Sequence, residues 1–412
     1  MLARTDREAI LQRVSRLVQQ KHFNPSFAGA NWATILESRK SQILDAESPD
    51  VFESEMHDLV TQLKTTHTGF FHKDARRIPA RHAINATFHR QTVDGKDLWM
   101  FQDVHMGGPA YTAGIRPGDL LLKVADRSLE PPTELAFPMS AAVRIVVRKP
   151  DGTEILHSLQ IPTPKTREHP LSTPKAIVCS ELPGKVGYLK VTMFPGTVGI
   201  DFARQLDFAV HTLDKCDRLI VDLRGNTGGG IGGLRLMSYL TPKKIEVGYS
   251  LTRARREGGY EKERLPRFRR IPAHKSSLIW LALRYAFADR SIVVVTEGLG
   301  PQKFHGRIVL LVNEHTAGQA EMVAAFAEEN QLATIVGTKT AGRLLTGMGF
   351  KAGHGYYLGL PIGNYLTWKG RMIEGSGISP AVPIELDFDA LVAGGETQDN
   401  QMEKALEVVR IM

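Results

Sequence analysis

Arg307-Ile308-Val309-Leu310-Leu311-Val312-Asn313-Glu314-His315-Thr316-Ala317-Gly318-Gln319-Ala320-Glu321-Met322 sets an apolar strand, a turn of small residues and the start of a helix in direct succession. A strand ending in such a turn delivers it to the positive end of a helix dipole, where a nucleophile is well presented. This turn holds no Ser and no Cys. Thr316 reads first as a helix cap, its oxygen taking a backbone N–H of the first turn.

Outward from this stretch, strands and helices alternate. Val186–Val191, Leu219–Leu223, Ser291–Val295 and Leu332–Val336 are short apolar runs that predict strands. Phe202, Leu206, Ala209, Val210 and Leu213 form a helical stripe, and further helices are expected at Leu278–Phe287, Ala320–Glu329 and Asp399–Ile411. The alternation predicts an α/β layer with a largely parallel sheet. Before it, the first 65 or so residues read as helical, with Phe52, Met56, Leu59 and Leu63 on one helix face. From Ile84 to Ile161 the texture is that of a small β domain rich in turns, centred on GGPAYTAGIRPGDLLLKV from Gly107 to Val124.

With 412 residues, 42% of them hydrophobic and 23% charged, the chain has the means to bury a core, which excludes a disordered or collagen-like protein. Lys and Arg number 52 against 44 Asp and Glu, a net +8. Nine Lys/Arg and three Glu between Thr252 and Lys275 give +6, so most of the excess is local. This segment reads as a solvated lid beside a substrate cleft. Only Tyr260 and Phe268 interleave its charges, and no nucleic-acid partner is expected. Cys179 and Cys216 make no disulfide framework, and His274, His305 and His315 stand at no metal-ligand spacing, so neither metal nor cofactor is expected. No apolar run is long enough to span a bilayer, and Asp6, Arg7 and Glu8 break any secretory signal at the N-terminus. A cytoplasmic protein is the expectation, although a chain trimmed of an export signal reads the same.

Three further constellations carry chemistry. Asp222-Leu223-Arg224-Gly225-Asn226-Thr227-Gly228-Gly229-Gly230 runs from a buried strand into a glycine cluster and then a helix. Backbone N–H groups bared by such a cluster hold a phosphate or a developing oxyanion, and a plain tight turn reads equally well. Glu374-Gly375-Ser376-Gly377-Ile378-Ser379-Pro380 sets a Glu among flexible residues, and Thr66-His67-Thr68 sets a His just past a helix end. Taken singly, the first reads as a solvated carboxylate and the second as a structural histidine.

In this order, together with Val336-Gly337-Thr338-Lys339-Thr340-Ala341-Gly342-Arg343, the motifs resemble the tail-specific, or C-terminal-processing, serine protease family over about residues 50–385. Tricorn-like peptidases and the non-peptidase interphotoreceptor retinoid-binding protein are kin within it. The resemblance implies an α/β protease core with a ClpP/crotonase-like layered sheet, an N-terminal helical segment and an inserted small β PDZ-like domain. The divisions expected are 1–80 for the helical segment, 84–162 for the PDZ-like domain, 176–390 for the core and 391–412 for a C-terminal helix.

Carried onto this chain, the family's nucleophilic Ser falls on Gly318, and its general-base Lys, 25 residues on, falls on Arg343. Glycine has no atom to attack with, and arginine stays protonated. Tricorn-like members use instead a Ser-His pair ahead of the PDZ module and a Glu; Thr66, His67 and Glu374 match these. Gly228 and the Gln319 N–H match the oxyanion hole, and Gly107, Gly108 and Ala110 the loop that takes a peptide carboxylate. Gly318 then marks a lost nucleophile, a substituted one, or a site that another hydroxyl, such as Thr316 or Thr340, enters. The implied partner is a polypeptide or peptide C-terminus, with a homo-oligomer left open. The leading expectation is a serine-type peptidase acting on unstructured C-termini. The alternative is a pseudopeptidase holding a peptide or apolar ligand in the same cleft, and a basic surface adaptor is a third reading.

Overall fold

The structure is a computed structural model, and it describes residues 2–26, 31–74, 77–133, 135–138, 142–162, 173–279, 291–300, 304–392 and 399–412. Its centre is a six-stranded sheet in the order Val382–Pro383, Thr334–Gly337, Ile308–Val312, Arg218–Asp222, Val186–Val191, Ile177–Leu182. Five of these strands run parallel, and the Ile177–Leu182 edge runs antiparallel. Parallel strands covered on both faces read as unbroken apolar runs, and Ile308–Val312 is buried at every residue. Successive side chains alternate faces. Ile308, Leu310 and Val312 join the main core with helices Ile200–Thr212, Gly233–Leu240 and Gln319–Glu329, while Val309 and Leu311 pack on Ala405, Val408 and Val409 of Asn400–Ile411. Most of the expected helix Leu278–Phe287 lies outside the described residues.

A second six-stranded sheet was not foreseen. Tyr356–Thr367 is its spine, pairing antiparallel with Leu345–Gly353, with Glu246–Thr252 and with Gly69–His72. The N-terminal segment is therefore stitched into the core rather than standing apart. Its helices Arg4–Lys21, Trp32–Leu44 and Pro49–Thr61 follow from amphipathic spacing and caps: Ser48 accepts the Val51 N–H at 3.2 Å ahead of Pro49, and Asn31 accepts that of Thr34. Phe52, Met56, Leu59 and Leu63 are all buried, against Phe70, Tyr356, Leu358 and Leu360.

The turn-rich region forms a five-stranded antiparallel sheet in the order Ala86–Val93, Lys96–Val104, Leu120–Val124, Ala142–Arg148, Glu154–Gln160, with its own core around Phe101, Ile115, Phe137 and Ile145. Ala86–Val93 is an edge strand. On its outer side His89 stacks on Phe388, and Gln91 donates to Asp389 at 3.0 Å. The short helix Phe388–Val392, which follows the core strand Val382–Pro383, thus straps the β unit to the core.

Candidate active site

The elbow is built by Gly318 and Glu321. Gly318 caps the helix Gln319–Glu329 with φ +60° and ψ −124°, a conformation that favours glycine and that sharp strand-to-helix elbows impose. Its N–H donates to the Arg343 carbonyl at 3.1 Å and to the Glu321 carboxylate at 3.1 Å. Glu321 is fully buried and also accepts from the Thr340 hydroxyl (2.6 Å) and the N–H groups of Gly342 (2.6 Å) and Arg343 (2.8 Å). Burial pushes its carboxyl pKa up, and these donors oppose the shift. The Glu321 side chain therefore does the capping expected of Thr316. Thr316 Oγ1 instead donates to the Leu223 carbonyl and takes the Asn313 N–H, each at 3.0 Å. Glu321→Gln turns an acceptor toward these donors into an NH₂ group, and we expect it to cost about 1–3 kcal/mol. An unchanged urea midpoint would contradict that role.

The Thr66-His67 pair is held by Glu374. Thr66 donates its N–H to Glu374 Oε1 at 3.0 Å and its hydroxyl to Oε2 at 3.1 Å. The same hydroxyl lies 3.2 Å from His67 Nδ1. Its one proton goes to the carboxylate, which only accepts. His67 Nδ1 must then carry a hydrogen, leaving Nε2 with a lone pair, the tautomer a general base needs. Desolvation holds the His67 pKa below its ordinary value; Glu374 opposes this, and Arg81 and Arg343 add to it. The ring backs onto Gly347, where a Cβ would approach Cδ2 to 2.8 Å. His67 itself has φ +60°, a strained backbone held by its surroundings.

Two consecutive residues join the pair to the elbow: Arg343 accepts the Gly318 N–H, and Leu344 donates to Glu374 at 2.8 Å. Thr66, His67, Glu374 and position 318 are thus brought into one assembly. A Cβ built on Gly318 would lie 3.4 Å from Gly228 Cα, 3.7 Å from the Thr227 carbonyl and 3.8 Å from that of Arg343, so a side chain fits there.

Three expectations need correction. The Gly228 N–H, assigned to the oxyanion hole, is engaged by Asn226 Oδ1 at 2.9 Å. Gly228 is a glycine because the elbow presses on it, and a Cβ there would stand 3.2 Å from the Gln319 nitrogen. The next amide, Gly229, has no partner among the described residues and lines the cleft. Second, the loop Gly107, Gly108, Ala110 does not line the cleft: Gly108 donates to the His105 carbonyl (3.0 Å), Ala110 to that of Ile84 (3.2 Å), and Gly107 packs on Lys175. Third, neither Thr316 nor Thr340 enters the site. Both are buried, and the Thr340 hydroxyl donates to Glu321 while accepting the Ile378 N–H at 2.8 Å.

The cleft, about 910 Å³, runs from Thr227–Gly230 past Phe194–Ile200 to Arg81, His82, Asn85, Ala86 and Thr87. The last five form the entry to the edge strand Ala86–Val93, and sequence reasoning missed them because no glycine or charge pattern marks them. From the basic segment only Lys275 lines the cleft, joined by Leu278 just beyond it. Much of its charge is neutralised locally, as in Arg267–Glu246 (3.3 Å), Arg264–Glu261 (2.8 Å) and Lys275–Asp201 (2.9 Å), or lies over an aromatic ring, as Lys262 does over Trp368. The segment is largely solvated, as expected, but it is anchored by the buried Leu265, Phe268 and Ile271 and does not form a lid along the cleft. Among the described residues no group of three or more His, Cys, Asp or Glu could hold a metal ion, and no helix is long and apolar enough to cross a membrane.

A strand–elbow–helix with an oriented imidazole and a glycine-rich strand end is acyl-transfer geometry. Residues 185–384 match peptidase family S41, so the resemblance read from the motifs holds across the core. The chloroplastic carboxyl-terminal-processing peptidase 2 of Arabidopsis thaliana is 24% identical over 68% of this chain and 49% of its own length. The carboxy-terminal processing protease CtpA of Bacillus subtilis is 26% identical over 71% of this chain and 57% of its own. The chain thus spans about half the length of these curated relatives. A solved photosystem II D1 C-terminal processing protease shares the fold with a TM-score of 0.58 at 16% identity, over 96% of this chain and 99% of that one.

Proposed function

We propose that this chain takes an unstructured polypeptide tail into the cleft between the glycine loop and the five-stranded unit, in the manner of a C-terminal-processing serine peptidase. In that reading His67 is the base, Thr66 and Glu374 orient it, the Gln319 and Gly229 N–H groups are the oxyanion donors, and position 318 is the nucleophile's place. The observation that carries the reading is the path from Gly318 through Arg343 and Leu344 to Glu374, Thr66 and His67. The five-stranded unit acts as a PDZ-like module, with the start of Ala86–Val93 at Ala86 and Thr87, ahead of the strap on His89 and Gln91, offered to the peptide in the cleft.

As the chain stands, binding without turnover is the reading the geometry favours, because Gly318 supplies no attacking atom and the neighbouring threonines are buried. The test is fluorescence anisotropy of the full chain with unstructured peptides, beside a fluorophosphonate probe. We expect binding that Thr197→Trp, on the cleft wall, abolishes, and no labelling. Labelling of the unaltered chain would show that another hydroxyl attacks; binding indifferent to Thr197→Trp would place the ligand elsewhere.

A further inference from the structure

We infer that Arg343 makes this site a receptor for finished polypeptide C-termini, its guanidinium holding the free α-carboxylate beside the elbow. The inference rests on the polypeptide-binding reading and names what is read. The Arg343 backbone is fixed against the elbow by two bonds, its N–H to Glu321 (2.8 Å) and its carbonyl from Gly318 (3.1 Å). Its side chain, by contrast, is exposed and makes no hydrogen bond or ion pair among the described residues.

The two carboxylates nearest in the assembly are engaged by other donors. Glu321 is taken by Gly318, Thr340 and the amides of Gly342 and Arg343, and Glu374 by Thr66 and Leu344. Arg343 is thus fixed by its backbone beside the elbow, with an exposed guanidinium that has no internal counter-ion among the described residues and whose charge helps to lower the His67 pKa.

A permanently charged, forked donor gains little from a neutral amide carbonyl. It gains charge-assisted, bidentate bonds from a carboxylate. A carboxylate also carries one oxygen more than the amide carbonyl, and glycine at 318 leaves the space before the elbow to it. A neutral residue at this position would not make this distinction, and Lys, a point charge without the fork, would make it only in part. The ligand is then any polypeptide end that carries a free α-carboxylate, whether translation or a peptidase left it.

Two pools of random-sequence decapeptides, identical but for a C-terminal carboxylate or carboxamide, test this by anisotropy with the full chain. The acid pool is expected to bind about tenfold or more tightly than the amide pool. Arg343→Ala should erase the difference and Arg343→Lys should keep part of it. Both variants retain the backbone bonds, and unchanged thermal unfolding will show that the fold is kept. Equal binding of the two pools, or a preference that survives Arg343→Ala, overturns the inference while leaving the polypeptide-binding reading in place. Binding of neither pool overturns both.

Discussion

Gly318→Ser is expected to raise peptide turnover far above that of the unaltered chain. In a triad enzyme, loss of the nucleophile costs on the order of 10⁶ in kcat. If His67 is the base and Thr66 and Glu374 orient it, as proposed, restoring a hydroxyl at 318 should raise the rate by at least about 10³-fold. The substitution has room, since the new Cβ meets no atom nearer than 3.4 Å. The φ of +60° costs the serine about 1–3 kcal/mol of strain, which an elbow buttressed by Glu321 and Arg343 can hold. The pH profile carries a second expectation. His67 must be neutral to act, and its pKa is held down by desolvation first, with Arg81 and Arg343 adding and Glu374 opposing. The acid limb should therefore fall below the ordinary histidine value of about 6.5. Peptide turnover against pH checks both; a limb above that value would place His67 in a different environment.

Arg224→Ala is expected to be the most destabilising single change, at about 3–5 kcal/mol. Its buried guanidinium bridges Asp222 (2.9 Å), at the end of a core strand, to Asp399 (2.7 Å), the residue that caps the C-terminal helix. Gln401 accepts from it at 3.2 Å. Removal leaves Asp222 buried with Lys190, Tyr188 and the backbone N–H of residue 224, and no guanidinium. Burial raises the Asp222 pKa, but Arg224 and Lys190 outweigh it and hold the carboxyl well below its usual range. A depressed carboxyl stabilises the fold above the unfolded pKa of about 4 and loses that contribution as pH falls through the folded value. With Arg224 gone the depression shrinks, so acid unfolding should move to higher pH. Urea titrations across pH will show it; an unchanged acid midpoint would mean Lys190 suffices.

How far the sequence foretold this depends on how local each feature is. The parallel strands were legible because burial on both faces leaves continuous apolar runs such as Ile308–Val312. The second sheet was not. Its hairpin Leu345–Gly353 and Tyr356–Thr367 is interrupted by Gly347, Gly349, Gly359, Pro361 and Gly363, which depress any strand signal. Its pairing with Gly69–His72 joins segments far apart in sequence, which no local pattern encodes. Thr66, His67 and Glu374 were legible through the resemblance alone, since each taken singly reads as an ordinary polar residue. Glu321 was missed although it stands three residues after Gly318, the spacing at which a Glu reaches back to cap a helix. The loop residues were over-read: Gly108 and Ala110 shape turns whose amides are satisfied internally.

The rate of fluorophosphonate labelling of Gly318→Ser, alone and combined with His67→Ala, bears most directly on whether the machinery is assembled around an absent side chain. We predict a single phosphonyl adduct on residue 318, located by mass spectrometry, forming at least about 10²-fold faster with His67 than without it. No adduct at 318, or a rate the same with and without the imidazole, would contradict the account.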